Sequence, residues 1–306
     1  MFALSSSRRQ FLQTSAALGA ATLGGLAMTH AQESAPQATP NGFKKAVKHG
    51  MIRAGNTVQE KFQLLKNLGF DGVELDGPSQ LNREEVLKAR DTTGLVIHGV
   101  VDSVHWGKPL SHPDPAVRAA GVAALRVALQ DAHAYGATTV LLVPAVVTKE
   151  ISYADAYQRS QTEIRKVLPQ AAELGIKIAI ENVWNQFLLS PLEMARYLDE
   201  LESPLMGAYF DVGNIINYGW PEHWIRTLGK RIFKLDIKEF SRQKRDAEGT
   251  RKGFQVELLE GDCDWPAVMK APRDIEFTGW GTAEIPGGDE KRLADIATRM
   301  NKIFAS

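Results

Sequence analysis

The sequence lacks several features that would assign it to common protein classes. Its 306 residues include one cysteine, Cys263, which excludes an intrachain disulfide and a zinc site built from cysteines. Neither sign of charge is in excess, because 36 Lys and Arg balance 36 Asp and Glu. A chain without net charge lacks the excess of positive charge that is typical of proteins that bind nucleic acid or an anionic membrane. We therefore expect a small-molecule partner and no nucleic acid.

The N-terminal segment has the pattern of an export signal. SRRQFL at residues 7–12 is a twin-arginine motif, and residues 15–28 form an apolar stretch of small residues. This stretch is too short and too rich in Gly and Ala to serve well as a membrane anchor, which is the main alternative. We expect a twin-arginine signal peptide at 1–31, a linker at 32–43 and a folded domain at 44–306. The processed protein would be periplasmic or otherwise exported, without stable membrane association.

Short β-type runs alternate with longer helical patterns after residue 45. The β runs are 46–52, 72–75, 95–100, 139–144, 177–181, 206–211, 232–238 and 277–284. The helical patterns are 57–68, 83–92, 115–135, 153–174, 191–201, 221–228 and 289–303. Strict alternation over this length predicts an α/β fold, a single-domain (β/α)8 TIM barrel. The alternative, an open doubly wound sheet, would want a Gly-rich phosphate turn, which GMIRAGNT at 50–57 matches poorly.

Four acidic residues close four successive β runs: Glu181, Asp211, Asp236 and Glu284. In residues 233–238 the apolar side chains share one face and the charged ones share the other, so the charged face should point into the barrel. The C-terminal ends of barrel strands meet at one mouth, and clustered carboxylates there suggest a shared cation. The alternative is a structural ion network with Lys234 and Lys238.

The chain resembles the sugar isomerase/epimerase superfamily with a xylose isomerase-like barrel, which includes ketose 3-epimerases and hydroxypyruvate isomerases. The order and spacing of five short motifs carry the resemblance: GVEL (72–75), IEN (180–182), FDVGN (210–214), LDIK (235–238) and GWGTAE (279–284). The resemblance implies that the same four acidic residues hold one divalent metal ion.

Two positions depart from the family pattern. Asp236 stands where the family usually has a His, and Asn214 stands where epimerases commonly have a substrate-binding His. Arg242 matches a substrate-binding Arg of ketose epimerases. A ligand set made only of oxygen atoms favours Mn²⁺ most, with Mg²⁺ or Ca²⁺ as alternatives, over Zn²⁺.

The metal site and the resemblance predict proton transfer next to a carbonyl through an enediolate. We expect Glu181 and Glu284 to be catalytic acid/base groups as well as ligands, while Asp211 and Asp236 mainly hold the ion. The candidate substrate-binding residues are Glu74, His98, Trp106, Asn214, Lys238 and Arg242.

Four of these candidates keep a structural alternative. Glu74 would otherwise form a core ion pair, and His98 would be a satisfied core histidine. Trp106 would otherwise cover the barrel mouth, and Lys238 would neutralise Asp236. Residues 242–252, apart from Arg242, are predicted to form a solvated loop.

An exported enzyme seldom meets sugar phosphates, so we expect a free sugar, oxidised sugar or glycoside as substrate. A second hypothesis is a 3-keto-glycoside lyase or hydrolase that works by β-elimination on the same site. A third is a non-catalytic exported carbohydrate-binding barrel. An endonuclease IV-like site is disfavoured because the seven His include no H-x-H pair. A homo-oligomer is left open.

Overall fold

Eight parallel strands form a closed barrel in the computed structural model, which describes residues 42–306. Each strand pairs with its sequence neighbours, and β1 pairs with β8 to close the barrel. The strands are β1 (Phe43–Lys48), β2 (Gly72–Gly77), β3 (Val96–Asp102), β4 (Thr139–Leu142), β5 (Lys177–Glu181), β6 (Met206–Asp211), β7 (Ile232–Ile237) and β8 (Gly279–Ala283). The prediction of a (β/α)8 barrel is confirmed.

Helices surround the barrel. They are α1 (Val58–Asn67), α2 (Arg83–Thr93), α3 (Pro115–Tyr135), α4 (Tyr153–Arg165), α5 (Leu168–Leu174), α6 (Pro191–Asp199), α7 (Gly213–Ile216), α8 (Pro221–Leu228), α9 (Arg242–Glu248), α10 (Trp265–Asp274) and α11 (Glu290–Ala305). Short 3-10 turns cover His49–Met51, Gly229–Arg231 and Thr250–Phe254.

Local signals explain several helix ends. The side chain of Asn82 accepts hydrogen bonds from two backbone N–H groups of α2, and the side chain of Ser190 accepts one from the first turn of α6. Gly136 and Gly175 end α3 and α5 in the left-handed conformation, which glycine adopts without steric cost.

Three predicted elements need correction. The pattern at 153–174 forms two helices, because Pro169 cannot donate the backbone hydrogen bond that a continuous helix would require there. The supposed loop at 242–252 contains α9 and a 3-10 turn. The first strand ends at Lys48, because the following residues turn into a 3-10 helix, and it therefore occupies 43–48 instead of 46–52.

The core lies between the strands and the helices, where apolar side chains from both layers are buried. The inside of the barrel is more polar, with Lys234, Tyr209 and Thr282 all buried there. The predicted signal peptide and most of the predicted linker lie outside the described residues. Among residues 42–306, no helix is both long and apolar enough to cross a bilayer.

Candidate functional site

The four acidic residues predicted from the strand ends converge at the mouth of the barrel. Asp211 and Asp236 lie side by side in the β6–β7 register, Glu181 ends β5, and Glu284 follows β8 directly. Each residue offers one carboxylate oxygen, and these four atoms lie within 4.8 Å of one another. The group could therefore hold a metal ion. We call it the carboxylate cluster.

Two buried oxygens of the carboxylate cluster support this fit. Asp211 Oδ2 and Asp236 Oδ1 lack a hydrogen-bond partner within the described residues. Asp211 Oδ2 lies 3.3 Å from the Lys238 ammonium but forms no hydrogen bond with it. A buried carboxylate oxygen without a hydrogen bond is costly, and a metal ion would supply the missing partner. The donor set contains only oxygen, which suits Mn²⁺, Mg²⁺ or Ca²⁺.

Two asparagines hold Asp211 in place, one through its backbone and one through its carboxylate. Asn182 accepts a hydrogen bond from the Asp211 backbone N–H and donates one to its carbonyl, both at 2.8 Å. The backbone N–H of Asn214 donates to Asp211 Oδ1 at 2.7 Å. The Asn214 side chain in turn donates to the carbonyl of Asn182 at 2.9 Å. The predicted substrate residue Asn214 thus also holds a cluster residue in place.

Two lysines contact the carboxylate cluster. Lys48 Nζ lies 2.7 Å from Glu284 Oε2 and 3.2 Å from Asp236 Oδ2. Lys238 Nζ lies 3.3 Å from Asp211 Oδ2 and 3.2 Å from Glu284 Oε1. The sequence predicted Lys238 as a charge partner of Asp236, but Lys238 contacts Asp211 and Glu284 instead. The partner of Asp236 is Lys48, which the sequence interpretation missed. Lys234, the other anticipated partner, instead has its Nζ 2.8 Å from His98 Nδ1.

Burial and the two lysines shift the cluster pKa values in different directions. Burial raises the pKa of Glu181 and of Asp236 well above the ordinary range, and it raises that of Asp211 to about 6. Burial acts in the same direction on Glu284, but Lys48 and Lys238 outweigh it and lower the pKa of this carboxyl. Glu284 is thus the member that the ammonium groups keep ionised.

An open cavity of about 550 Å³ lies above the carboxylate cluster. Its lining residues are Trp106, Glu181, Val183, Trp184, Asn214, Lys238, Arg251, Phe254 and Glu284. Trp184 and Phe254 form an aromatic wall with ring centroids 4.7 Å apart. Trp106 lines the rim of the cavity and is 52% exposed. Aromatic faces beside a few polar groups are typical of a small-molecule site.

Three predicted substrate residues do not line this cavity. Glu74 and His98 are buried inside the barrel, where His98 stacks on Trp280 at 4.4 Å. Arg242 donates hydrogen bonds to the carbonyls of Ile216 and Gly219. Substrate contacts by Glu74, His98 and Arg242 stay predictions.

Arg251 lines the cavity, although the sequence interpretation assigned it to a solvated loop. It lies on the 3-10 turn Thr250–Phe254, which also carries Phe254 into the aromatic wall. No motif in the sequence marks this arginine, because its place depends on how the turn packs.

A parallel barrel with clustered carboxylates at its strand ends has the arrangement of a TIM-barrel enzyme site. The family model described as Xylose isomerase-like TIM barrel matches residues 62–303, and the chain belongs to this family. A model of the twin-arginine translocation pathway signal sequence matches residues 5–25, which confirms the predicted export signal.

The relatives include sugar epimerases. L-ribulose-5-phosphate 3-epimerase UlaE of Escherichia coli K12 is 29% identical over 273 residues, covering 82% of this chain and 93% of that protein. Among solved structures, 3-keto-D-glucoside 4-epimerase YcjR from E. coli aligns with a TM-score of 0.71 and 17% identity over 86% of this chain and 100% of that one. A D-allulose 3-epimerase from Methylomonas sp., solved with D-allulose, aligns with a TM-score of 0.70 and 19% identity over 88% and 99%. The two structural likenesses concern the fold.

Proposed function

We propose that the protein is a divalent-metal-dependent sugar isomerase or epimerase. It would transfer a proton next to a carbonyl of a non-phosphorylated sugar or keto-sugar. The observation that carries the proposal is the convergence of four carboxylate oxygens within 4.8 Å beneath an open, partly aromatic cavity. The names of the relatives point to the same reaction class.

The two glutamates and the two aspartates of the carboxylate cluster have different access to the cavity. Glu181 and Glu284 line it, whereas Asp211 and Asp236 are fully buried below it and are not lining residues. We assign acid/base catalysis to the two glutamates, since a catalytic acid or base must reach the proton that it moves. The aspartates would mainly hold the ion, for which Mn²⁺ is the best candidate. When bound, the ion would stabilise the negative charge that develops on the substrate oxygens.

Substrate binding would use the walls of the cavity. Trp106 and the Trp184–Phe254 wall offer aromatic faces for the C–H face of a sugar. Lys238, Arg251 and Asn214 offer polar groups for sugar oxygens. The export signal supports a free sugar or glycoside found outside the cytoplasm, in the periplasm or beyond.

A second cavity favours a second candidate function. It measures about 320 Å³ and shares Lys238, Arg251, Phe254 and Glu284 with the first. The adjoining space would fit the second ring of a glycoside. The same proton abstraction from a 3-keto-glycoside would expel the glycosidic oxygen by β-elimination, which makes a lyase the alternative to an epimerase.

Hydrogen exchange with solvent tests the proposed function. The Mn²⁺-loaded protein is incubated in deuterated water with free ketoses, a ketose phosphate and 3-keto-glycosides, and products are followed by NMR. Deuterium on the carbon next to the carbonyl supports proton transfer, and loss of the aglycone identifies the lyase. Binding without deuterium uptake for any compound would instead support a carbohydrate-binding barrel.

Glu284→Gln tests the role of the glutamates. The change keeps the side-chain shape but removes the proton-transfer group, so we expect deuterium uptake to fall about 10³-fold or more while circular dichroism stays unchanged. Glu173→Gln, at an exposed site on α5, is the matched control and should retain full uptake. Full activity of Glu284→Gln would refute the assigned role.

A further inference from the structure

Lys48 reaches the carboxylate cluster from the strand that closes the barrel. β1 pairs with β8 up to Val47 and Ala283. The next residues, Lys48 at the end of β1 and Glu284 directly after β8, therefore lie next to each other at the barrel mouth. The Lys48 ammonium contacts two cluster residues that would hold the ion, Glu284 and Asp236. A positive side chain therefore occupies one edge of the site proposed for a positive ion.

The formal charges of the site are consistent with the two lysines and a divalent ion together balancing the four carboxylates. With all four carboxylates ionised, as metal ligands are, two ammonium groups leave two negative charges, which one divalent ion would neutralise. The lysines thus remove part of the repulsion among the carboxylates without the ion, and they also reduce the attraction for it.

Glu284 is the residue for which the lysines and a bound ion would compete most directly. Its Oε2 accepts from Lys48 at 2.7 Å, and its Oε1 accepts from Lys238 at 3.2 Å. Both oxygens already have a charged partner, whereas Asp236 keeps one oxygen, Oδ1, without a partner. For Glu284 to bind an ion as well, one lysine has to weaken or give up its contact.

Lys48 is the lysine that is easier to displace. Lys238 is also held by the Phe254 ring, with its ammonium 4.9 Å from the ring centroid. Its stem packs so closely on Gly213 that a Cβ there would lie 2.7 Å from Lys238 Cγ. Within residues 42–306, the hydrogen bonds of the Lys48 ammonium go to Asp236 and Glu284.

We propose that Lys48 is an internal counter-ion that competes with the divalent metal for Glu284 and Asp236 and so sets the metal affinity of the site. This inference rests on the proposed function only in that the carboxylate cluster binds a divalent ion. It assigns Lys48 to tuning that binding, with no part in the chemical step.

The test measures metal affinity and needs no substrate. Wild-type protein, Lys48→Met and Lys48→Gln are stripped with a chelator, and Mn²⁺ binding is measured by calorimetry. Met keeps the aliphatic stem and removes the charge, while Gln keeps a hydrogen-bond donor and serves if the Met variant does not fold. Lys44→Met removes the same charge from an exposed site on the same strand and is the matched control.

We expect both Lys48 variants to bind Mn²⁺ at least tenfold more tightly than wild type, and Lys44→Met to match wild type. Without metal, Lys48→Met should melt at a lower temperature than wild type, and saturating Mn²⁺ should remove this difference. Equal or weaker binding by the Lys48 variants overturns the counter-ion role and leaves the proposed function standing. Tight binding by the variants with none by wild type supports the role and contradicts a metal-dependent wild-type enzyme. Absence of binding in all proteins overturns both.

Discussion

The two oxygens of the Asp211 side chain have different partners. Oδ1 accepts from the backbone N–H of Asn214, while Oδ2 faces Lys238 at 3.3 Å without a hydrogen bond. One oxygen therefore orients the carboxylate and the other stays available to a ligand. Pre-orientation of this kind lets a metal bind without first ordering the side chain.

Where polar and apolar residues alternate clearly along a strand, the sequence predicts which side chains face the inside of the barrel. The alternation in β7 placed Lys234 and Asp236 inside the barrel, and both are buried there. β1 gave no such signal, because lysines occur at adjacent positions 44 and 45 as well as at 48. The contact of Lys48 with Glu284 therefore required the structure, as did the position of Arg251.

Asp102, at the end of β3, gives a prediction about pH and stability. Burial raises its pKa to about 7 from an ordinary value of 3.8. The unfolded chain gives up this proton at a lower pH than the folded chain, so stability falls as the pH rises through the window from about 4 to 7. Asp102→Asn removes this penalty, and its side-chain oxygen can keep accepting from Val104 N–H.

We expect Asp102→Asn to be more stable than wild type at pH 8 by on the order of 2–4 kcal/mol, with little difference at pH 4. Urea unfolding at the two pH values measures this free energy. The control Asp91→Asn changes an exposed carboxylate beside Arg90 and should shift stability by under about 1 kcal/mol. Equal stability of Asp102→Asn and wild type at pH 8 would contradict the burial penalty.

At the scale of elements, the sequence predicted what local chemistry determines. The predicted helical patterns at 83–92, 115–135 and 191–201 correspond to α2, α3 and α6, whose ends are set by local caps such as Asn82, Gly136 and Ser190. α10 was missed because its sequence, WPAVMKAPRD, contains two prolines, of which Pro266 lies in the first turn and Pro272 near the end. α9 was missed because its charged residues resemble a solvated loop, while the structure shows a helix that the Ser241 side chain caps and whose Arg245 donates to the carbonyl of Asn217.

The turn Thr250–Phe254 places Arg251 and Phe254 at the cavity, and Gly253 is the residue that allows it. A Cβ at Gly253 would lie 2.4 Å from the Phe240 ring. Gly253→Ala should push the turn outward and move the aromatic wall away from bound substrate. We expect KM to rise about tenfold for the substrate identified by deuterium exchange, because the aromatic wall loses contact with it.

Gly50→Ala, in the separate 3-10 turn His49–Met51, is the control for Gly253→Ala, because a Cβ at Gly50 meets nothing within 4 Å. Steady-state kinetics and calorimetry on both variants separate substrate binding from metal binding. An unchanged KM for Gly253→Ala would show that the turn has no part in substrate recognition.

At the scale of the whole molecule, barrel geometry turns separate strand ends into one site. Glu181 and Glu284 are more than a hundred positions apart in the sequence, yet both line one cavity. Parallel strands in a closed barrel force their C-terminal ends to the same mouth, which is why the site could be predicted once the fold was. The contacts that surround the carboxylate cluster and the cavity, which include those of Asn182, Lys48 and Arg251, depend on side-chain packing and could not be predicted from the sequence.

The most direct test of the central claim is anomalous X-ray scattering from crystals soaked in Mn²⁺ at the manganese absorption edge. We predict one strong anomalous peak at the barrel mouth, with oxygens of Glu181, Asp211, Asp236 and Glu284 within about 2.0–2.6 Å of it. A strong peak at another place, or none at the carboxylate cluster under saturating Mn²⁺, would contradict the account.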